Sequence, residues 1–456
     1  MLDSIIDYVL AFENVLWGYF GVPTVIFLGI FLTIQSRGAQ FRNLPTAVKT
    51  FISFLKKDPV SDRGISPLKA FFACIGGSVG VGNVVGVCTA IQIGGPGALF
   101  WIWMTAIAGS LVKYSEVYLG VKYRIDNGNG GYNGGPMFFL RRALDRPWVP
   151  ALVCILLCVY GVEIFQFGVV TKTIATNWGW DLTTVAFSLL ALVLFAGSGG
   201  VSRVGSIASA LIPVFVVTYI SMGAWVLFQN LDQLPTVFGL VISSAFSEHA
   251  AIGGFIGSGM MATVSHGVRR GCYSGDIGIG YASVLHSESS VQVPEKQALL
   301  VIFEIFMDTF LICTTSVMIT LITGTWHQVN DATQVVQSAL AQYFPYMNFF
   351  MPLFLFLVGY ATINAYFCVG LKCAAQLMPV YGKRIYYAYA SISLIFFSYF
   401  DTTLAQAIMA IAGGFLLLIN SVGIFLLRKE LSFDLKPEND AVEKPEELLE
   451  PAKSPS

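Results

Sequence analysis

The chain has 456 residues, of which 55% are hydrophobic and only 12% charged, with a formal net charge of −1 and a mean hydropathy of +0.70. So little polar surface excludes a soluble fold of this length, and the near-zero net charge, which hides a segregation of Lys and Arg along the chain, gives no sign of a nucleic-acid partner. What remains is an all-α polytopic membrane protein, expected to carry no cofactor.

The first residues, Met1 to Asp7, lack the basic start of a secretory signal, so the apolar run after them is expected to stay as a span. Runs long enough to cross a bilayer begin near Val15, Lys69, Ala98, Val149, Leu182, Val204, Ala250, Gln297, Asn348, Arg384 and Thr403, about 11 in all. The segment between the first two carries Arg37, Arg42, Lys49, Lys56, Lys57 and Arg63, which places it in the cytoplasm and the N-terminus outside. Strict alternation from that start tests every later loop. Loops assigned inside hold Arg124, Arg141, Arg142 and Arg146, then Arg203, then Arg269, Arg270 and Lys296, then Lys383, and finally Arg428 and Lys429. Those assigned outside, around Asp232 to His249, Thr325 to Met347 and Ser398 to Thr402, hold no Lys or Arg; only Lys172, near the outer end of the fourth span, lies toward that side. The expected setting is a bacterial-type inner membrane with a cytoplasmic C-terminus.

Within the first inner loop, Phe41, Leu44, Val48, Phe51 and Leu55 recur at helical spacing. They predict a helix on the inner membrane surface, against the plainer alternative of a basic linker. The stretch after Glu430 is charged and Pro-containing, and is expected to be disordered. The cysteines form no Cys-x-x-Cys pair and read as small apolar side chains, with neither disulfide nor metal implied.

One apolar segment is interrupted by Gly76-Gly77-Ser78-Val79-Gly80-Val81-Gly82-Asn83. Glycine costs roughly 1 kcal/mol relative to alanine inside a helix, so this density favours a break over a straight helix. Broken backbone at membrane depth must face protein or water, because amides and carbonyls left to lipid cost several kcal/mol each. The same Gly-Gly-x-x-Gly-x-Gly spacing returns at Gly253 to Gly259, in the seventh run. Setting the first span aside leaves two sets of five, each opening on one of these segments. Five being odd, the sets run in opposite senses, as inverted repeats do, and paired Gly-interrupted segments point to a midplane site. The competing explanation is close helix packing through small residues. The divisions expected are residues 1–36 for the extra span, 37–68 for the basic segment, 69–228 and 229–428 for the repeats, and 429–456 for the tail. The run Gly80 to Gly86 also mimics a dinucleotide-binding loop, a likeness without meaning inside a membrane span.

The segments Gly80-Val-Gly-Asn-Val-Val-Gly, Gly94-Gly-Pro-Gly-Ala-Leu-Phe-Trp-Ile-Trp, Lys113-Tyr-Ser-Glu116 and Gly134-Gly-Pro-Met137 resemble the alanine or glycine:cation symporter family. Weaker similarity runs through Gly253-Gly-Phe, Gly267-Val-Arg-Arg-Gly271 and Asp308-Thr309. The resemblance implies a leucine-transporter-type 5+5 inverted repeat with one extra N-terminal helix, driven by Na⁺ or sometimes H⁺ and carrying small amino acids. It also marks departures. Val81 stands where the family usually has Thr, Val170 and Ala262 where it has Gln, Asp276 where it has Glu, and Tyr366 where it has Trp, while Ala361 beside Thr362 replaces one of two threonines.

Glu163 lies in an apolar span, where an ionisable group costs at least about 3 kcal/mol unless paired or hydrated. Seven residues separate it from Val170, so a continuous helix puts Glu163, Phe167 and Val170 on one face. It is expected either to serve solute or proton coupling or to pair structurally with a neighbouring helix. Lys113 and Glu116, three apart, read as an ion pair, and Glu304 and Asp308 as inward-facing acids, with Asp308 the better candidate for coupling. The four histidines fall in no metal-binding spacing.

These readings converge on a symporter importing a small, alanine- or glycine-like amino acid with Na⁺ by alternating access, and not an enzyme. It is expected to act as a monomer. The alternative is an H⁺-coupled carrier of another small zwitterion or amine through Glu163. A channel is a further alternative, against which two unlike halves around one break argue. Solute is assigned to Gly80, Val81, Gly82, Asn83, Phe167, Val170, Gly257, Ser258, Gly259 and Tyr366, and the cation to oxygens of Gly77, Ser78 and Thr362.

Overall fold

A computed structural model describes residues 2–56, 63–247, 260–329, 331–400 and 402–435. They are almost entirely helical; the strands among them are a two-stranded hairpin, Ile125–Asp126 with Tyr132–Asn133. Six helical stretches are long and apolar enough to cross a membrane: Ile6–Gln35, Trp148–Trp178, Gly200–Gln229, Pro294–Ile322, Met347–Leu377 and Thr402–Leu426. The pair Pro67–Ser78 and Gly82–Gly94, bent by 41°, makes a seventh if taken as one span. Helices also stand at the other expected starts. Ala98–Lys122 carries Lys113 and Glu116, Leu182–Gly197 and Gly382–Ser398 are short, and the seventh is described only from Met260. The loops expected outside contain helices of their own, Leu234–Ala245 and Ala332–Ala341.

Close crossings hold the helices together. A Cβ on Gly29 would stand 2.7 Å from the Ala108 Cβ, and one on Gly205 2.4 Å from the Lys69 carbonyl oxygen. Small residues at these crossings let backbones approach where lipid supplies no hydrophobic drive. Ala98–Lys122 lies at the centre, buried along nearly its whole length, against Val22–Gln35, Met260–Gly275 and Pro294–Ile305. Trp17 donates its indole N–H to the Ala410 carbonyl at 2.9 Å, tying the first helical stretch to the last.

The basic segment does form a helix, Leu44–Lys56. Ala47 and Phe54 are buried, and the Phe51 ring lies 5.0 Å from Phe71 and 5.1 Å from Phe303. Phe41 and Leu55, counted on its apolar face, are exposed.

The expectation that the chain is disordered from residue 429 needs a correction at its start. Arg428–Glu430 is a helical turn and Phe433 is buried. Tyr114 donates to the Ser432 carbonyl at 2.8 Å, Asn43 donates to the Phe433 carbonyl at 2.7 Å, and Arg42 pairs with Asp434 at 2.8 Å. One aromatic side chain and three polar contacts suffice to dock a segment whose composition reads as solvated; the rest of the tail call lies outside the described residues.

Burial tends to raise the Glu430 carboxyl pKa, but hydrogen bonds from Lys122 and Tyr123 outweigh it and hold the group below its usual value. A depressed carboxylate contributes its stabilisation above the unfolded pKa, about 4.3, and loses it as pH falls through the folded value. The docked segment is therefore expected to stay in place at neutral pH and to release in that acid window. A spin label on Leu435→Cys, immobilised at pH 7 and freed below about pH 4, checks it; equal mobility at both pH values refutes it.

Candidate functional site

The glycine-dense segment is broken as its composition demands. Pro67–Ser78 ends at Ser78, Val79 is extended (φ −81°, ψ 90°), and the chain resumes as a π-helical turn, Gly82–Gly86, before Val87–Gly94. Polar side chains from other helices come close to the backbone here. A Cβ on Gly77 would lie 1.8 Å from the Tyr281 hydroxyl, and one on Gly80 2.5 Å from Gln166 Oε1 and 2.6 Å from Thr362 Oγ1. These neighbours satisfy the backbone groups that the break releases. Val81 N–H donates to Gln166 Oε1 at 3.0 Å, Gly80 N–H donates to Asn83 Oδ1 at 3.2 Å, and Thr362 Oγ1 donates to the Gly76 carbonyl at 2.8 Å.

Opposite it lies a second break. Met260–Gly275 stops, residues 276–280 turn, and Tyr281–His286 continues. Three of the five turn residues have positive φ: Asp276 (49°), Gly278 (73°) and Gly280 (99°). Such a value is uncommon for a residue other than glycine and is often found where surrounding structure holds a functional side chain. Asp276 accepts hydrogen bonds from Ser78 Oγ at 3.2 Å, from the Tyr160 hydroxyl at 3.3 Å and from the Tyr366 hydroxyl. One carboxylate thus joins both breaks to two further helices. The glycine run expected to form the second break, with Gly257, Ser258 and Gly259, lies outside the described residues.

Two more irregular turns place acids. Trp148–Tyr160 and Ile164–Trp178 are separate helices, and Glu163 stands between them at φ 54°. The expectation that Glu163, Phe167 and Val170 share one face of a continuous helix is therefore corrected: the helical register that relates them begins only at Ile164. Glu163 instead accepts from the Tyr273 hydroxyl at 3.0 Å, while Phe167 and Val170 are buried further on. In Pro294–Ile322, a π-helical turn over Phe306–Cys313 carries Asp308, and π-turns of this kind recur at functional sites. Asp308 accepts from Asn83 Nδ2, from Ser274 Oγ at 3.2 Å and from Thr309 Oγ1 at 2.9 Å.

The expected Lys113–Glu116 pair does not form. Lys113 Nζ reaches Glu304 Oε1 at 3.0 Å, with both side chains wholly buried, and Glu116 accepts the Ser283 N–H at 3.3 Å. Three-residue spacing allowed the local pair, but the fold carries the Lys113 side chain to another helix. The same pair accounts for Cys74, His286 and Glu304, whose ligand atoms lie within 4.8 Å of one another: an ammonium already provides their positive charge. Glu163, Asp276 and Asp308 differ. Among the described residues none of the three has a basic group within 4.0 Å, although all are fully buried.

Several candidate residues meet. Gly80 adjoins Thr362, Asn83 adjoins Asp308, and Tyr366 adjoins Asp276. Val81 and Val170 converge on Gly359, where a Cβ would lie 3.1 and 2.5 Å from their methyl groups. Ser78 turns its hydroxyl toward Asp276 and Glu304, whereas Thr362 bonds the Gly76 carbonyl. Reasoning from sequence missed Gln166, Tyr160, Tyr273 and Ser274. Only Gln166 carried a signal, as a polar residue three places beyond Glu163 in an apolar run.

With this geometry in place, comparison with known proteins is decisive. The sodium:alanine symporter family matches residues 2–446. The chain belongs to that family. It is a sodium-coupled amino-acid symporter embedded in the membrane, not an enzyme. Among related symporters, AgcS of Methanococcus maripaludis, a sodium/alanine symporter, is 28% identical over 94% of this chain and 96% of that protein. GlnT of Bacillus subtilis, a probable sodium/glutamine symporter, is 28% identical over 95% of this chain and 91% of its own length. The solved structure of MhsT in complex with L-phenylalanine shares the fold, with a TM-score of 0.57 at 14% identity over 81% of this chain and 90% of that one. The fold is of the leucine-transporter type, as the resemblance in sequence implied.

Proposed function

We propose that this symporter imports a small, alanine-like amino acid with Na⁺ by alternating access. The observation that carries the reading is the juxtaposition of two chain breaks, bridged by Ser78 and Asp276, beside three buried carboxylates that lack basic partners. Such a setting suits cations: Na⁺ takes hard oxygen ligands, and an ammonium group takes carboxylates and carbonyls. Gly76 and Thr362 supply oxygens on one side of the first break, and Asn83 with Asp308 on the other. Val81, Val170 and Gly359 add an apolar contact suited to a short aliphatic side chain.

The division into residues 69–228 and 229–428 supplies the two halves, with the basic loops on the cytoplasmic side of an inner membrane and the N-terminus outside. AgcS and GlnT are named for different amino acids, and departures at Val81 and Val170 fall where the solute is expected to lie. The coupling reading has one competitor, proton coupling through Glu163, favoured by the absence of a basic group within 4.0 Å of it among the described residues. Proteoliposome uptake of labelled alanine, with Na⁺ and pH gradients imposed separately, decides between them. Uptake driven by Na⁺ alone, and retained by Glu163→Gln with its pH profile unchanged, is expected. Uptake that follows only the pH gradient and vanishes in Glu163→Gln refutes sodium coupling, and saturable uptake of no small amino acid refutes the substrate.

A further inference from the structure

Arg270 is a buried charge that the site described above does not use. It is 3% exposed, and its Nε, Nη1 and Nη2 all lack hydrogen-bond partners, although a guanidinium carries five N–H donors. Its place is nevertheless shaped for it. A Cβ on Gly82 would stand 2.2 Å from Nη2, and one on Gly86 2.3 Å from Nη1. These two glycines of the π-helical turn make room for the guanidinium, and the Tyr273 ring lies 5.1 Å from its central carbon. Neighbouring Arg269 is satisfied by Glu13 at 2.6 Å, so Glu13 is already engaged.

Arg270 lines a cavity of about 1010 Å³ whose wall also includes Thr89, Gln92, His266, Tyr273 and Gln406. Glu163 acts on the guanidinium only through space, with no oxygen in hydrogen-bond range of it; a buried ion without a hydrogen-bonded counter-charge costs several kcal/mol, and a paired, hydrogen-bonded one far less. A carboxylate fits the donor set best, because the guanidinium fork presents two parallel N–H groups to its two oxygens. The surroundings favour a small one, since glycine backbone and an aromatic face flank the fork.

We propose that Arg270 is a carboxylate-binding station on the side of the first break nearer Gly94, holding the carboxylate of the transported amino acid by a bidentate pair. This rests on the reading of the chain as an amino-acid carrier. Arg270 abuts Gly82, while the next residue, Asn83, holds Asp308. A zwitterion held at the fork therefore has opposite charge available around the same turn of chain.

Thermal unfolding of the purified full-length protein in detergent tests the station without knowledge of the substrate. Sodium propionate supplies the carboxylate, sodium methanesulfonate the control at equal sodium and ionic strength, and sodium chloride the alternative anion. Propionate is expected to raise the melting temperature saturably above the methanesulfonate control. Arg270→Lys keeps the charge but loses the fork, and should need roughly tenfold more propionate. Arg270→Gln should show no propionate effect; if it does not fold, Arg270→Lys carries the comparison.

A flat wild-type response, or one that both variants retain unchanged, overturns the station. Stabilisation by chloride and not by propionate overturns the carboxylate assignment. Sodium-driven alanine uptake without any propionate effect removes the station and leaves the transport reading standing. Propionate binding that requires Arg270, in a protein that does not move alanine, supports the station and removes alanine as substrate.

Discussion

Asp308→Asn is expected to reduce sodium-driven uptake by about 100-fold, some 2.7 kcal/mol of lost stabilisation, while the protein still inserts and purifies as a folded species. The carboxylate accepts from Asn83, Ser274 and Thr309 and forms no ion pair, the nearby Lys113 being paired with Glu304, so its charge is available to a cation. An amide in its place is neutral and turns either an N–H₂ toward the Asn83 N–H₂ or its single oxygen there at the expense of Ser274 and Thr309. Hydrogen bonds to a charged group contribute roughly 1.5–3 kcal/mol each, so the loss of charge and of one good bond reaches this size. Asn83→Ala, which also frees the Gly80 N–H, should fall in the same range. Initial uptake rates in proteoliposomes, normalised to inserted protein, measure both; rates within threefold of wild type would remove Asp308 and Asn83 from the site.

The second large effect concerns stability. Lys113→Met should destabilise the fold by about 3–5 kcal/mol, because it leaves the Glu304 carboxylate buried without its counter-charge. Glu304→Leu should cost a similar amount by stranding the ammonium. The double variant should recover most of the loss, since two apolar side chains carry no desolvation penalty there. Glu116→Gln, which keeps an oxygen to accept the Ser283 N–H, should cost far less. Melting temperatures of the purified variants check the set. Additive losses in the double variant, or an equal loss in Glu116→Gln, would contradict the pairing.

The two predictions differ in how visible their residues were beforehand. The first break and Asn83 were legible because helix propensity acts locally: glycines crowded into seven positions weaken a helix whatever surrounds them. The helical spans were legible for the same reason, as each reports the solvent around its own segment; the loop charges were less so, since Arg269 and Arg270, assigned to an inner loop, lie in helix Met260–Gly275, with Arg269 paired to Glu13 and Arg270 buried. Lys113 and Glu304 are 191 residues apart, and nothing near either one names the other; the local rule for helix neighbours selected Glu116 instead. The turn at Asp276 carries only two glycines, Gly278 and Gly280, and is held by partners from remote helices, including Asn420, which donates to the Gly278 carbonyl at 2.9 Å. Glu163 was recognised as unusual but placed wrongly, because Gly161 alone is a weak signal that a helix stops. The polar residues around the breaks were invisible individually, and became a site only when the fold assembled them.

Ser78 has one further consequence. Its single hydroxyl hydrogen has three acceptors in range, the Cys74 carbonyl at 3.4 Å, Asp276 at 3.2 Å and Glu304 at 2.9 Å, while Lys113 approaches its oxygen at 3.3 Å. A hydroxyl has one proton to give, so whichever carboxylate receives it leaves the other one donor short. The structural ion pair and the acid that bridges the two breaks therefore compete for one atom. Any change in the charge at Asp276 is felt at the Lys113–Glu304 pair as a rotation about one bond, with no helix having to move first.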